Sequence, residues 1–260
     1  MKVSIITVCY NSASTIHNTF ESVLNQSYQD IDYIVVDGHS TDGTLTIIKN
    51  YEKKFTGRMR WISEVDNGLY DAMNKGIQMA SGDIIGILNS DDYYASNAVL
   101  ESVCNIINDK KIDSCYGNIL YEKNKKPYRF WRAGRKKSFK LGWMPPHPGF
   151  FLKKCIYEKY GCFKLDYGSA ADYELMLRLL EKERITTMWV NELFVIMKVG
   201  GISNKSFLSR IRAYKNDKKG WIDNNLSLYF FTLFLKKIVK ISQYFVAKMM
   251  ISKSYFAGER

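Results

Sequence analysis

Short apolar runs alternate with helical patterns along the first ninety residues. The runs at 3–10, 31–36 and 84–88 are rich in β-branched residues and each stops at polar or acidic residues, which is typical of buried strands. Between them, apolar residues recur at helical spacing in 14–26, 42–51 and 68–79, and a weaker strand is predicted over 60–62. Strands that alternate with helices in this way predict a doubly wound, mostly parallel α/β sheet.

Acidic side chains follow two of the predicted strands. Asp37 follows the second apolar run, and Asp91 and Asp92 follow the run at 84–88. Right-handed crossovers place the carboxyl ends of such strands on one side of the sheet, so these three side chains are expected to open onto one cleft. Two adjacent carboxylates repel each other unless a cation lies between them, and their oxygen atoms suit Mg²⁺ or Mn²⁺. The alternative interpretation is an Asp-rich turn that caps the next helix.

Several familiar motifs are missing from the sequence. No Gly-x-Gly-x-x-Gly follows the first strand and no P-loop occurs, so a bound nucleotide is expected to be held through a metal ion on carboxylates. The five cysteines lack Cys-x-x-Cys spacing, which favours reduced thiols in a cytosolic protein over disulfides or zinc. Residues 1–8 lead directly into a strand without a signal-peptide cleavage site.

Positive charge is concentrated in two segments of a chain whose net charge is +12. Residues 122–140 carry nine basic residues against one glutamate, and residues 205–260 carry twelve against three acidic ones. This distribution indicates attraction to anions such as membrane lipid or nucleotide phosphates. Nucleic acid is not favoured as a partner, because no recognised nucleic-acid-binding motif accompanies the charge.

The residues after 225 have a different pattern. Apolar residues are dense, and the positions that interrupt them at helical spacing are Thr232, Lys236, Lys240, Gln243 and Ala247. The apolar run ends at 236–237, which is short of the roughly 20 residues that a membrane span needs. The pattern predicts an amphipathic helical extension whose residues 226–256 lie on an anionic membrane. The alternatives are a helix that packs on the body of the protein or one that forms a homo-oligomer.

Three motifs in order along the chain resemble glycosyltransferase family 2, the inverting enzymes of the GT-A fold. They are Val-Ser-Ile-Ile-Thr-Val-Cys-Tyr-Asn at 3–11, Val-Val-Asp-Gly-His-Ser-Thr-Asp-Gly-Thr at 35–44, and Asn-Ser-Asp-Asp at 89–92. The resemblance covers about residues 2–200, and residues 63–76 resemble a subgroup found in bacterial surface-polysaccharide gene clusters.

This resemblance implies a domain organisation and an activity. A GT-A catalytic domain is expected over 1–204, with a nucleotide-sugar half at 1–95 and an acceptor half at 96–204, followed by a basic tail at 205–260. The implied reaction transfers one sugar from a nucleoside-diphosphate donor, taken as UDP-linked, to a glycan or lipid-linked saccharide in bacterial polysaccharide biosynthesis. The expected location is the cytoplasm, at the inner face of the plasma membrane. The alternative function is a catalytically inactive nucleotide-sugar-binding or membrane scaffold protein.

The resemblance also implies roles for residues of the donor half. Val8 and Tyr10 would lie against the nucleotide base, and Asp37 would accept a hydrogen bond from a uracil-like imide. Within the motif that begins at Asn89, Asp92 would bind the Mn²⁺ or Mg²⁺ ion and Asp91 would face the ribose or the sugar.

Four further residues have two interpretations each: three in the predicted donor half, and one histidine in the turn before residue 150. Lys75 could contact phosphate or base, or be an ordinary solvated helix residue. Asp66 and Asp71 could shape the donor pocket or serve only turn and cap chemistry. His147, which lies among prolines, could be a further metal ligand or could contact phosphate or acceptor.

The resemblance places the family's catalytic-base position at the start of an amphipathic helix predicted within 168–180. Asp172 would take the proton of the acceptor hydroxyl. Many relatives carry Glu before this Asp, but Ala171 stands here, so any second carboxylate would have to be Glu174. The alternative for Asp172 is an N-cap, and both roles are compatible.

Overall fold

The computed structural model describes residues 1–199, 207–227, 231–236, 238–241 and 243. They contain a nine-stranded sheet in the order β3-β2-β1-β4-β8-β6-β9-β5, and β7 extends it from β6. The strands are β1 (Val3–Cys9), β2 (Ile31–Asp37), β3 (Met59–Ser63), β4 (Ile84–Ile87), β5 (Asp92–Tyr94), β6 (Ser114–Lys123), β7 (Lys126–Trp131), β8 (Phe150–Lys153) and β9 (Thr187–Lys198).

The N-terminal half of the sheet is parallel and covered on both faces. The order β3-β2-β1-β4 is parallel throughout, and every residue of β1 and β2 is buried. The helices between and after these strands are α1 (Ile16–Leu24), α2 (Thr44–Lys54), α3 (Leu69–Met79) and α4 (Val99–Lys110). Apolar side chains on the two faces form two separate core clusters. The predicted doubly wound α/β organisation is confirmed.

The carboxyl ends of the parallel strands lie at one edge. Cys9 at the end of β1 pairs with Asp37 at the end of β2, and Asp37 pairs with Ser63 at the end of β3. Ser12 and Ser90, which follow β1 and β4, are joined by a hydrogen bond between their hydroxyl groups of 2.8 Å. The loops that carry the sequence motifs therefore meet at this edge.

The second half of the sheet mixes strand directions. β8 is antiparallel to β4 and β6, β9 is parallel to β6, and β5 is antiparallel to β9. β7 forms a hairpin with β6 within the basic stretch 122–140. β5 was not expected, because the sequence indicated a turn at 89–92. Its first residue, Asp92, pairs with Met197 of β9.

Three further helices follow the parallel half of the sheet, namely α5 (Lys154–Tyr160), α6 (Ala171–Leu177) and α7 (Phe207–Asp223). α6 continues into a π-helical turn at Arg178–Lys182. α7 packs on α6, where the buried Trp221 donates from its indole nitrogen to the Tyr173 hydroxyl at 3.0 Å. The predicted boundary between catalytic domain and tail, at 204, falls outside the described residues.

Residues 231–236, 238–241 and 243, here named the C-terminal segment, are helical and pack on the body. Thr232 donates to the carbonyl oxygen of Lys140 at 3.0 Å, and Leu233 is buried. Phe234, Ile238 and Ile241 lie on the exposed side of the segment. No helix among the described residues is both long and apolar enough to span a bilayer. The other residues of the predicted membrane-contacting stretch 226–256, namely 228–230, 237, 242 and 244–256, lie outside the described part.

Candidate active site

A cavity of about 1010 Å³ opens at the carboxyl edge of β1 and β4. Its volume lies at the upper end of the range usual for small-molecule sites. One wall consists of the loops after β1 and β4 and the start of α3, and the opposite wall includes Met144, Met197 and the C-terminal segment. Five of the residues predicted to bind the nucleotide sugar line this cavity: Val8, Tyr10, Asp66, Asn89 and Asp91.

Tyr10 and Asp66 meet above the end of β2. Tyr10 is 65% exposed, so its ring is open to a ligand. A Cβ atom at Gly38 would lie 2.7 Å from Asp66 Oδ2 and 3.5 Å from the Tyr10 ring, so a larger residue there would displace the Asp66 carboxylate. Asp66 Oδ1 accepts the backbone N–H of Gly68 at 2.8 Å, which orients the carboxylate.

Asp37 does not line the cavity, contrary to the expectation that it opens onto the cleft. Its side chain is fully buried. One oxygen accepts hydrogen bonds from the Ser40 hydroxyl and the Cys9 thiol, and the other accepts from the Ser40 N–H (3.0 Å) and the Ser63 hydroxyl (2.7 Å). Asp37 therefore stabilises the loop after β2, and Asp66 is the carboxylate presented to the cavity at this end.

The adjacent Asp91 and Asp92 have different surroundings. Asp91 lines the cavity, whereas Asp92 begins β5 and is only 1% exposed. Asp92, the expected metal ligand, is thus not itself exposed in the cavity, and Asp91, which was expected to face the ribose or the sugar, is the carboxylate that lines it. Burial raises the pKa of both carboxyls, the Asp91 charge raises the pKa of Asp92 further, and the Lys198 ammonium opposes both shifts. A cation would relieve this repulsion between neighbouring carboxylates.

The oxygen atoms around this pair fit a hard divalent ion. Asn89 donates its amide N–H to Asp92 Oδ2 at 3.1 Å, while Asn89 Oδ1 and Asp92 Oδ1 are buried without a hydrogen-bond partner. Unpartnered buried oxygens next to a cavity-facing carboxylate are a suitable ligand set for Mg²⁺ or Mn²⁺. Within the described part of the chain, no three His, Cys, Asp or Glu residues cluster as a metal cage. The set therefore suits an ion that takes its remaining ligands from phosphate and water.

His147 lies near Asp172 and is not one of the residues that line the cavity. Its ring packs edge-on against Phe163 with 5.4 Å between ring centres. Burial lowers the pKa of His147, and the Asp172 carboxylate opposes that shift. The structure gives no support to His147 as a third metal ligand beside Asp91 and Asp92.

Asp172 lies in the first turn of α6, adjacent to the cavity wall. Asp172 Oδ1 accepts the backbone N–H of Tyr173 at 2.7 Å. Burial together with the charge of the nearby Asp172 raises the pKa of Tyr70 well above its usual value. Asp172 itself is not among the cavity-lining residues. The next residue, Tyr173, packs its ring against Lys236, whose ammonium lies 3.6 Å from the ring centre and lines the cavity.

Glu174 is a structural residue of α6 and not a second carboxylate of the site. It is fully buried, accepts hydrogen bonds from Arg178 (3.0 Å) and Asn224 (3.1 Å), and forms an ion pair with Lys164 at 3.0 Å. Although burial alone would raise it, the pKa of Glu174 is held below its usual value by Arg178 and Lys164. These contacts tie the end of α7 to α6.

Lys75 is engaged outside the cavity. Its ammonium contacts the Glu64 carboxylate at 2.8 Å, the Val65 carbonyl at 3.0 Å and the Asp71 carboxylate at 3.8 Å, which stabilises the loop before α3. The cavity lining instead includes the cations Arg129, Lys198, Lys236 and Lys240, for none of which the sequence predicted a role in the donor site. Lys198 ends a strand without a motif, and Lys236 belongs to a stripe that resembled a membrane helix.

Comparison with known proteins identifies the family. The model of glycosyl transferase family 2 matches residues 4–163. An uncharacterized glycosyltransferase of Mycobacterium tuberculosis (strain CDC 1551 / Oshkosh) is 32% identical over 192 residues, which cover 68% of each protein. A PGL/p-HBAD biosynthesis glycosyltransferase of Mycobacterium bovis (strain BCG / Pasteur 1173P2) is 26% identical over 214 residues, 80% of this chain and 83% of the relative.

Solved structures show the same fold at lower sequence identity. S. aureus TarS in complex with UDP-GlcNAc aligns with a TM-score of 0.69 and 18% identity over 88% of this chain and 68% of that one. The mannosyltransferase PcManGT from Pyrobaculum calidifontis, in complex with GDP-Man and Mn²⁺, aligns with a TM-score of 0.61 and 13% identity over 100% of this chain and 81% of that one. The fold is GT-A, and the chain belongs to glycosyltransferase family 2 and is a glycosyltransferase.

Proposed function

We propose that the protein transfers a single sugar, with inversion, from a UDP-linked donor to a glycan or lipid-linked saccharide acceptor in bacterial polysaccharide biosynthesis. The observation that carries this proposal is the cavity at the carboxyl edge of the sheet. Its lining includes Tyr10 and Asp66, which suit a nucleotide base, and Asp91, which suits a metal ion. The named activity of the M. bovis relative and the UDP-GlcNAc bound to TarS are consistent with it.

The donor's base would lie at Tyr10 and Asp66. The exposed ring of Tyr10 offers an aromatic face for stacking, and Val8 adds apolar surface beside it. Asp66 can accept the imide N–H of uracil, which an apolar side chain cannot do. In this proposal Asp37 acts indirectly, because its hydrogen bonds to Ser40 and Ser63 hold the loop on which Tyr10 and Asp66 converge.

The donor's diphosphate would lie near Asp91. Asp91, with the oxygens of Asn89 and Asp92, would hold Mn²⁺ or Mg²⁺. When bound, such an ion supplies positive charge that offsets the negative charge gathering on the departing nucleoside diphosphate. Lys198 supplies further positive charge beside the same carboxylates.

Asp172 would act as the general base for the acceptor hydroxyl. In a single displacement the hydroxyl oxygen attacks the anomeric carbon from the face opposite the leaving group, and its proton passes to the Asp172 carboxylate. The backbone N–H of Tyr173 orients that carboxylate through its hydrogen bond to Oδ1, and Tyr70 lies close enough to feel its charge. Because burial keeps His147 neutral, it does not form an ion pair that would weaken the basicity of Asp172.

The experiment that tests this proposal compares Asp172→Asn with Asp166→Asn. Asp166 is an exposed carboxylate six residues before Asp172, so its variant is the matched control. The donor is first chosen from a panel of nucleotide sugars by metal-dependent release of nucleoside diphosphate. Asp172→Asn is expected to lower kcat about 10²–10⁴-fold while the donor Kd is unchanged, and Asp166→Asn to have no effect. Unchanged kcat in Asp172→Asn refutes the base assignment, and binding without turnover by the wild type supports the inactive scaffold instead.

We further propose that the C-terminal segment places the enzyme on an anionic membrane. Its exposed Phe234, Ile238 and Ile241 are spaced as one stripe of a helix. The chain from 205 onward carries twelve basic residues against three acidic ones, which complements anionic lipid. The alternative is a homo-oligomer, in which a second copy of the chain would cover the same apolar stripe.

A further inference from the structure

We propose that Lys236 of the C-terminal segment binds a phosphate group of a substrate, and that Asp217 of α7 is its counter-ion when that substrate is absent. The inference rests on the proposed function, because a nucleoside-diphosphate donor or a lipid-linked acceptor brings the phosphate. It makes the C-terminal segment part of the substrate site and not only a membrane contact.

The position of Lys236 is fixed by close packing. Gly142 has φ +73°, and a Cβ atom there would overlap the backbone nitrogen of Lys236 and the carbonyl carbon of Leu235. The hydrogen bond from Thr232 to Lys140 and the burial of Leu233 hold the preceding turn. A lysine at the end of a loosely attached tail would have none of these constraints. These contacts therefore fix the position of Lys236 at the cavity.

The surroundings of Lys236 suit exchange of one anion for another. Its ammonium lies 2.8 Å from Asp217 Oδ2 and over the Tyr173 ring, and its side chain keeps 28% exposure on the cavity side. Asp217 is almost buried, and both its burial and the nearby Asp172 raise the pKa of Asp217, while Lys236 opposes that shift. The ammonium thus already compensates a buried carboxylate, and Lys236 lines the same cavity as Asp66 and Asp91.

Phosphate is the ligand chemistry that this arrangement favours. An ammonium binds phosphate oxygens as a point charge, and the interaction is strong where water is partly excluded. Asp66 and Asp91 favour an anion in this cavity only where a cation offsets their charge, and Lys236, like Lys198, brings positive charge to the lining. Two sources fit, namely the diphosphate of the donor and a phosphate on a lipid-linked acceptor.

The test compares Lys236→Met with Lys219→Met. Lys219 is a matched control, because it also contacts carboxylates (Asp166 and Asp223) and a tyrosine ring (Tyr167, at 4.0 Å), but away from the cavity. Calorimetry with the full chain measures the Kd of UDP, uridine and inorganic pyrophosphate. Lys236→Met is expected to weaken binding of a phosphate ligand about tenfold or more and to leave uridine unaffected. Lys219→Met is expected to match the wild type for all three.

The two sources give different patterns. Weaker UDP binding places the donor diphosphate at Lys236, whereas unchanged UDP binding with weaker pyrophosphate binding to the UDP-saturated protein places an acceptor phosphate there. Asp217→Asn removes the competing carboxylate and is expected to tighten the same binding. The inference is overturned if Lys236→Met stays within twofold of the wild type, if Asp217→Asn loses binding as Lys236→Met does, or if the wild type binds neither phosphate ligand. A different pair of results separates this inference from the proposed function. If Lys236→Met loses phosphate binding but the wild type turns over no nucleotide sugar, the inference stands and only the proposed function is refuted.

Discussion

At the scale of single residues, the contrast between Asp91 and Asp92 gives the sharpest prediction. Asp92 has an unpartnered carboxylate oxygen in a buried site next to another acid, so ionising it is unfavourable in the metal-free protein. We expect Asp92→Asn to raise the Tm of the metal-free protein at pH 7.5. Asp91→Asn is expected to lower Mn²⁺-assisted UDP binding roughly 100-fold, because losing a cavity-facing ligand costs at least as much as losing a supporting residue.

Thermal shift and calorimetry, each with and without Mn²⁺, check these two outcomes. Asp83→Asn is a suitable control, since Asp83 is an exposed carboxylate at the opposite end of β4. The assignment is wrong if Asp92→Asn, and not Asp91→Asn, abolishes the effect of Mn²⁺ while leaving the metal-free Tm unchanged.

His147 gives a pH-dependent prediction. Burial lowers the pKa of His147 in the folded protein, so below about pH 6.5 the unfolded chain binds a proton that the folded chain does not. The stability linked to His147 is therefore present at neutral pH and lost as the pH falls through the unfolded pKa. We expect His147→Gln to lose less Tm than the wild type between pH 7.5 and pH 5.5. His39→Gln, at an exposed position, should follow the wild type, and equal pH slopes in all three proteins would contradict the argument.

The sequence placed five predicted residues in the cavity, and the misplaced ones have a common physical reason. Asp91 lies in the turn before β5 and Asp92 is the first residue of that strand, and of the two only Asp91 faces the cavity. Which one does so depends on β5, whose partner β9 lies about a hundred residues away in the chain. Asp37 is similar, because its direction is set by Ser63 on the neighbouring strand β3. Neither the β5–β9 pairing nor the Asp37–Ser63 hydrogen bond can be inferred from the spacing of residues along the chain.

At the scale of elements, local patterns predicted the first three parallel strands and the helices between them, since each has its own apolar period and turn residues. The antiparallel strands were harder, because β5 has three residues and depends entirely on tertiary pairing. The helix predicted within 168–180 forms as α6 from Ala171 and changes to a π-helical turn at Arg178, where the guanidinium meets the buried Glu174. In the sequence, the charged residues Glu174 and Arg178 in this largely apolar helix do not indicate that the helix changes to a π-helical turn.

The contact between the loop 139–142 and the C-terminal segment can be tested with two glycines. Gly142 and Gly134 have similar positive φ values of 73° and 68°, but a Cβ atom meets neighbouring backbone only at Gly142. Both alanine variants should lose about 1–2 kcal/mol of stability from the left-handed backbone. Gly142→Ala should in addition release the C-terminal segment, which limited proteolysis would detect as faster cleavage after residue 230. Equal cleavage rates in the two variants would show that the segment does not depend on this approach.

At the scale of the whole molecule, the C-terminal segment has two faces with different tasks. Its inner face closes the cavity through Lys236 and Val239, and its outer face carries Phe234, Ile238 and Ile241. A bilayer that contacts the outer face would thus lie directly behind one wall of the substrate cavity. A lipid-linked acceptor could then reach the cavity without leaving the membrane. This geometry connects the proposed acceptor class with the proposed location.

Membrane contact predicts that polar substitutions on the outer face reduce binding to anionic vesicles. We expect the triple variant F234S/I238S/I241S to bind phosphatidylserine vesicles at least about tenfold more weakly than the wild type in co-sedimentation, because three exposed apolar side chains no longer enter the lipid. The matched control is V65S/L165S, which removes exposed apolar side chains elsewhere on the surface. Its vesicle binding should equal that of the wild type, and binding should weaken as salt is raised. Membrane docking is refuted if the triple variant keeps full vesicle binding. It is also refuted if neither protein binds vesicles and the wild type is a dimer that the triple variant converts to a monomer. In that second case the outer face packs on another copy of the protein.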